Sequence, residues 1–296
     1  MKIFYQRFFH FFTTVFITSL LLASSNAALA EDLAKCSASF YQGIYPNITN
    51  KKLTRDTKPL CFNGFAVMYS GVTKTPLWSA EHLTKKRIND ARKISREDNF
   101  HEESRLPKAM RATLSDYSKS GFDRGHLAPN GNMANRAQQY DSFSLANIAP
   151  QSPRNNRYIW RNIETATRQL ALQYGEVYTV TGVAFLDQNV KTLKGRVLIP
   201  SHFYKAVYIP SLNQAGVYFA PNDESERIEV ISVDSLAKKT GVDVLPILEI
   251  SVKASALELP LDGNQLSNPA PTKNESPTWL VFLAAVVDWI LAQLNA

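Results

Sequence analysis

The sequence predicts an α+β fold with a central, largely antiparallel sheet flanked by helices. Three observations carry this. The stretches EVYTVTGVAF, RVLIPSHFYKAVYIP and AGVYFAP are rich in Val, Tyr, Ile and Phe and broken by Gly and Pro, as sheet strands are. One segment, NNRYIWRNIETATRQLALQYG, repeats apolar residues at helical spacing. Strands and helices follow one another in mixed order, without the regular alternation of a parallel α/β sheet.

Met1, Lys2 and Arg7 form a positive head, followed by the apolar run FFHFFTTVFITSLLLASS. Ala28 and Ala30 hold the small-residue positions before an expected cut after Ala30. This is the layout of a secretory signal peptide over residues 1–30; a retained N-terminal membrane helix is the alternative. Removing 30 residues from 296 leaves 266, enough for one large domain or two small ones. Residues 31–60 read as an irregular arm, and FAVMYS (65–70) as a strand. PLWSAEHLTKKRINDARK (76–93) fits a strand followed by either a helix or a loop. Residues 94–120 are polar with little periodicity and read as loop with short helices.

The clearest helix covers 155–175. Ile159, Ile163, Ala166 and Leu170 mark its apolar face, Asn155 or Asn156 could cap its start, and Gly175 ends it. SVDSLAKKTGVDVLP reads as a short helix capped by Ser232 or Asp234 and stopped by Gly241. The domain is expected over 31–253. Residues 254–277, rich in Pro, Asn, Ser and Asp, read as a linker. The last residues, 278–296, are an apolar helix interrupted by Asp288. It is short for a membrane span; a membrane-surface helix, a partner-binding helix and a helix folded back on the domain are its other readings.

The chain has two cysteines, Cys36 and Cys61. In an exported protein such a pair is most simply a disulfide, with two unpaired buried thiols as the alternative. Two cysteines are too few for a zinc site. The net charge is +7, which favours anionic partners. Between Gly121 and Leu170 there are six arginines and no lysine. Arginine is the side chain for forked contact with phosphate or carboxylate; a solvated charged face is the plainer reading.

GFDRGHLAPNGNM (121–133) places Asp123, Arg124, Gly125 and His126 in consecutive positions. A histidine can take a proton near neutral pH. Asp123 could orient it, Arg124 could hold an anion, and Gly125 would allow a sharp backbone turn. His82 and His202 match no motif and read as structural.

DRGHLAPNG resembles the active-site motif of the DNA/RNA non-specific endonucleases, the group that includes the endonuclease G type. LANIAPQSPRNNRYIWRNIE resembles that family's second block, with Asn147, Pro150, Gln151, Asn156 and Glu164 at matching positions. On a regular helix, Glu164 lies about 80° round from Asn156 and Arg168 about 120° round, so the three can share one side. The resemblance runs over about 62–253 and implies a ββα-metal nuclease fold. It also implies one Mg²⁺ (with Mn²⁺ as a substitute) held by Asn156 and waters, which suits an ion that keeps most of its water. It further implies His126 as general base, Glu164 holding a metal-bound water, Arg168 and Arg87 gripping phosphate, and Asp123 and Arg124 ordering the network. Lys85 and Lys86 compete with Arg87 for its role. Arg154 and Arg157 are candidate backbone-binding residues, and Asn147 a supporting one. The implied protein is a secreted or periplasmic endonuclease acting on DNA and RNA with little sequence preference. A non-catalytic nucleic-acid-binding protein and a DNA-restricted nuclease are the alternatives. A homodimer, an inhibitor protein and a membrane or partner contact through 278–296 are further expectations.

Overall fold

The computed structural model describes residues 32–263. The expected signal peptide and the apolar segment 278–296 lie outside the described residues. The strands in chain order are β1 (Asn47–Ile48), β2 (Thr57–Cys61), β3 (Ala66–Ser70), β4 (Thr75–Thr84), β5 (Asp123–His126), β6 (Ile148–Gln151), β7 (Glu176–Ala184), β8 (Thr192–Leu193), β9 (Val197–Leu198), β10 (His202–Ile209), β11 (Gln214–Pro221), β12 (Glu229–Ile231) and β13 (Val242–Asp243). The α-helices are α1 (Lys85–Ala91), α2 (Leu114–Tyr117), α3 (Arg136–Ser142), α4 (Arg161–Tyr174), α5 (Val233–Thr240) and α6 (Ile250–Ala254).

Seven strands form one sheet in the order β12-β11-β10-β7-β4-β3-β2, and every neighbouring pair is antiparallel. Side chains alternate across a strand, so each face builds its own core. On one face Trp78, Tyr204, Tyr208 and Phe219 pack with Phe40 of the N-terminal arm and with Val233 and Leu236 of α5. On the other face Leu83, Val177, Phe203 and Val207 pack against Ile88 of α1, Trp160, and Ile163 and Leu170 of α4. Each such buried side chain contributes roughly 1.5–3 kcal/mol of burial, which seats α4 firmly against the sheet.

That second face also carries a buried polar row. Glu81 lies opposite Thr179, Ser79 opposite Thr181, and Lys205 opposite Thr181 on the next strand. All five side chains are buried.

β5 and β6 form a separate antiparallel ribbon in which His126 faces Ile148 and Asp123 faces Gln151. The chain leaves β6 and enters the helical segment that becomes α4, so ribbon and helix make a ββα unit. This segment differs from the sequence expectation in two ways. Helical backbone begins at Pro153, a residue preorganised for a first turn, so neither Asn155 nor Asn156 is the cap. Residues Asn155–Trp160 are wound as a π-helix; a uniform 100° per residue therefore does not hold between Asn156 and Glu164. Gly175 ends α4 at φ +89°, and its carbonyl accepts from the Lys85 N–H at 2.7 Å, tying the end of α4 to the start of α1.

The segment 76–93 is resolved as a strand followed by a helix. Its turn is fixed by Thr84, whose hydroxyl accepts from the Arg87 N–H at 3.1 Å. The arm 31–60 is less irregular than expected, because its end forms the edge strand β2. Pro59 within it is the kind of residue an edge tolerates. Cys36 and Cys61 are disulfide-bonded, which fastens the arm to that edge. Ser232 caps α5 through the Ser235 N–H at 3.1 Å, and Gly241 follows at φ +71°.

The expected linker boundary at 254 falls inside packed chain. The Leu257 N–H donates to the Ala215 carbonyl at 2.8 Å, Leu259 is buried in the core, and the Tyr218 hydroxyl donates to the Pro260 carbonyl at 2.6 Å. The Pro-, Asn- and Ser-rich composition reads as a linker, but Leu257 and Leu259 anchor this stretch along β11. Residues 264–277 lie outside the described residues. Among the described residues no helix is long and apolar enough to cross a membrane.

Candidate active site

Alternation along β5 sorts the motif. Arg124 and His126 point to one side and share Phe100, whose ring lies 4.0 Å from the Arg124 guanidinium carbon and 5.4 Å from the His126 ring centroid. Asp123 points elsewhere. It accepts from Asn156 Nδ2 at 3.0 Å and takes a forked pair from Arg157, Nε at 2.8 Å and Nη2 at 2.7 Å. Asp123 therefore orients Asn156, not His126 as its adjacency suggests. The Arg157 and Asn156 hydrogen bonds outweigh burial and hold its carboxyl below the usual carboxylate range.

Gly125 also departs from expectation. It lies within extended β5 and is not at positive φ. A Cβ there would meet Gln151 Oε1 at 2.1 Å, so close approach of the two strands, rather than a turn, requires glycine.

His126 is wedged between Phe100 and Phe143, the second ring edge-on at 5.1 Å. Its Nε2 is buried and has no hydrogen-bond partner among the described residues. Burial pushes its pKa down to about 3, with Arg96 and Arg124 adding to the effect and Asp98 opposing it. The ring is thus neutral at ordinary pH, with a lone pair or N–H left open.

Asn147, fully buried, brackets the chain that follows the histidine. Its Oδ1 accepts from the Ala128 N–H at 2.9 Å, and its Nδ2 donates to the carbonyls of Ala128 and Ser142 at 2.8 and 2.9 Å. These bonds continue the β5–β6 pairing into the Pro129–Asn132 turn. Gly131 in that turn faces Arg168: a Cβ would lie 3.0 Å from Nη1.

Glu164 and Arg168 come from α4. The Glu164 carboxyl is raised by burial, with Arg168 and Lys205 drawing it back. Among the described residues it makes no ion pair with Arg161 or Arg168 within 4.0 Å. Arg168 donates to Thr165 Oγ1 at 2.9 Å and Asn132 Oδ1 at 3.4 Å; its remaining N–H groups have no acceptor among the described residues.

Arg87 is placed differently from the phosphate-gripping expectation. Its donors go to the carbonyls of Asn132 (2.9 Å), Gly64 (2.6 Å) and His82 (3.0 Å), to Glu81 (3.1 Å) and to the Met133 sulfur (3.7 Å). A guanidinium has five N–H donors, so none is left over. Arg87 ties α1 and the Asn132 turn to the buried Glu81. Arg154 pairs with Glu226 and lies over Tyr158. His82 pairs with Glu176 at 2.6 Å, and His202 accepts from or donates to Ser201 at 2.9 Å; both sit outside the site.

Three residues beneath the site escaped sequence reading: Glu81, Asn132 and Lys205. Asn132 Nδ2 approaches both Glu81 oxygens, at 3.3 and 3.2 Å. Lys205 donates to Thr181, and its charge faces Glu81 and Glu164. Burial raises the Glu81 carboxyl against the pull of Arg87 and Lys205. The available signal was a charged residue inside an apolar strand, as in LWSAEHL and HFYKAVY.

Among the described residues no group of three or more His, Cys, Asp or Glu could hold a metal. A hard ion can also be held by an amide oxygen and water. Asn156 fits this: Asp123 engages its Nδ2, and its Oδ1 has no partner among the described residues.

Residues 46–248 match the family model described as DNA/RNA non-specific endonuclease. The chain is 33% identical over 224 residues to a nuclease of Nostoc sp., covering 70% of this chain and 80% of that one. It is 31% identical over 221 residues to human mitochondrial endonuclease G, covering 68% and 73%. Nuclease C1 of Cunninghamella echinulata is 32% identical over 173 residues, covering 53% and 69%. Among solved structures, a chain of the EndoG/EndoGI complex shares the fold at a TM-score of 0.58 and 23% identity, covering 67% of this chain and 89% of that chain.

Proposed function

This chain belongs to the DNA/RNA non-specific endonuclease family, a family of hydrolases, and on that footing we propose that it is an exported, Mg²⁺-dependent nuclease in which His126 activates the attacking water. The observation that carries this reading is two polar atoms that have no hydrogen-bond partner among the described residues. They are His126 Nε2, which is buried, and Asn156 Oδ1, at the far end of the amide whose Nδ2 Asp123 holds.

Asn156 would bind the ion through Oδ1, and Glu164 would accept hydrogen bonds from water around it. When bound, the ion supplies positive charge to the scissile phosphate and the leaving oxygen. His126 takes the proton of the attacking water. A ring with so low a pKa is a weak base alone, but an anionic phosphate docking beside it raises its proton affinity, the direction catalysis needs. Arg168 offers its unused N–H groups to the phosphate. Arg124 offers a guanidinium already stacked on Phe100. Contact with phosphates rather than base edges suits cutting with little sequence preference. The Cys36–Cys61 disulfide fits an oxidising compartment, as does the leader composition of 1–30.

Supercoiled plasmid nicking tests the proposal. Nicking should require added Mg²⁺, stop with EDTA, and return when Mg²⁺ is restored. Undiminished nicking in EDTA would contradict the metal assignment.

A further inference from the structure

Residues 257–263 run as a strap from the sheet to α4 and lie beyond the family-matched residues 46–248. The strap begins on β11, where the Leu257 N–H donates to the Ala215 carbonyl at 2.8 Å. Gly216 makes room for it: a Cβ there would lie 2.4 Å from the Leu257 carbonyl oxygen and 3.0 Å from Leu259 Cγ. A backbone oxygen cannot swing aside as a side chain can, so this close approach requires glycine. Leu259 then enters the core shared with α4, and the Pro260 carbonyl accepts from the Tyr218 hydroxyl at 2.6 Å. At its far end the strap rests on α4. A Cβ on Gly263 would meet Thr165 Cγ2 at 2.8 Å and Gln169 Cγ at 3.5 Å.

Thr165 is also where Arg168 is held. A threonine hydroxyl carries one proton. That proton goes to the Arg161 carbonyl, 2.9 Å away and one turn back, so the oxygen is left to accept from Arg168 Nη2 at 2.9 Å. The other side of the guanidinium meets the turn at Gly131 and Asn132, with Nη1 3.4 Å from Asn132 Oδ1. The methyl and hydroxyl of a threonine share one Cβ and turn together about χ1, so a strap seated on the methyl fixes the hydroxyl as well. We propose that Thr165 is a positioning residue for Arg168 and that the strap 257–263 sets it: Gly263 seats the Thr165 methyl, and the Thr165 hydroxyl aims the guanidinium at the phosphate. The inference rests on the nuclease reading above, which gives Arg168 its phosphate. It makes a segment distant in sequence from both motifs part of the geometry of the reacting centre.

Substitutions in the full chain separate the hydroxyl from the methyl. Thr165→Val keeps the methyl against Gly263 and removes the hydroxyl; Thr165→Ser does the reverse; Gly263→Ala presses a new methyl onto Thr165 Cγ2. On a short labelled DNA strand, kcat/KM should fall about tenfold in Thr165→Val, the worth of one hydrogen bond to a charged group. Thr165→Ser, which keeps the acceptor, should lose less. Gly263→Ala should also lose activity, and the double variant Gly263→Ala/Thr165→Ser should be at least as active as Thr165→Ser alone, because the added methyl takes the space of the one removed. A merely structural role predicts losses that add instead. Equal losses in Thr165→Val and Thr165→Ser, wild-type activity in Gly263→Ala, or additive losses in the double variant would each overturn the inference. If the wild-type protein cleaved no strand, the nuclease reading would fall instead, and ¹⁵N NMR would decide the strap. The Arg168 Nη signals, assigned by their loss in Arg168→Lys, should be resolved in wild type, where hydrogen bonds restrain guanidinium rotation, and should merge in Thr165→Val and Gly263→Ala. Signals unchanged by both substitutions would overturn it.

Discussion

Asp123 holds two donors at once, Asn156 Nδ2 and the Arg157 fork, and so fixes which end of the Asn156 amide is left for a ligand. Residues that orient a metal ligand typically shift metal affinity 10- to 100-fold when removed. We expect Asp123→Ala to raise the Mg²⁺ concentration for half-maximal cleavage by about that factor, and Asp123→Asn, which keeps one acceptor, to raise it less. A metal titration checks this; an unchanged midpoint in Asp123→Ala would contradict the arrangement. His126 leaves a mark on stability as well. Its folded pKa, about 3, lies below the ordinary 6.5. As pH falls through 6.5 the unfolded chain takes up a proton that the folded chain refuses, so protonation favours unfolding. The contribution is complete above about pH 6.5 and is progressively lost down to about pH 3. Urea unfolding at several pH values should show a shallower acid loss in His126→Gln than in wild type; parallel profiles would contradict a buried neutral ring.

At the scale of elements, β5, β6 and α4 act as one unit. Gly125 lets β5 lie against Gln151, and Asn147 extends their pairing past His126. Gly125→Ala should cost about 1–3 kcal/mol, the usual range for overpacking, and should lower activity by moving the histidine. Chemical denaturation measures the first, and a stability equal to wild type would show that Gln151 yields easily. Much of this unit was legible in sequence. Apolar spacing at Ile163, Ala166 and Leu170 marks α4, and the two motifs place Asp123, His126, Asn156 and Glu164 in it. What stayed hidden has physical reasons. The π-helix of Asn155–Trp160 leaves no periodicity in six residues. The edge strand β2 lacks alternation and contains Pro59. Glu81, Asn132 and Lys205 join through tertiary contact alone, and only the fold shows that three carbonyls, Glu81 and the Met133 sulfur take the donors of Arg87.

At the scale of the whole molecule, one sheet separates two tasks. The face toward Phe40 and α5 carries the apolar cluster around Trp78, Tyr204 and Phe219. The face toward α4 carries Glu81 and Lys205 directly behind Glu164 and Arg168, so the site rests on buried charge. The Cys36–Cys61 bridge spans 25 residues; closing a loop of that size stabilises the fold by about 3–4 kcal/mol in the chain-entropy view. The arrangement thus concentrates the proposed chemistry on His126 and Asn156. The most direct test of that claim is single-turnover cleavage of a labelled strand by His126→Ala at saturating Mg²⁺, with strand binding followed by fluorescence anisotropy. We predict a rate lowered about 10²- to 10⁴-fold, the span of general-base contributions, with binding within a few-fold of wild type. A cleavage rate within a few-fold of wild type would contradict it.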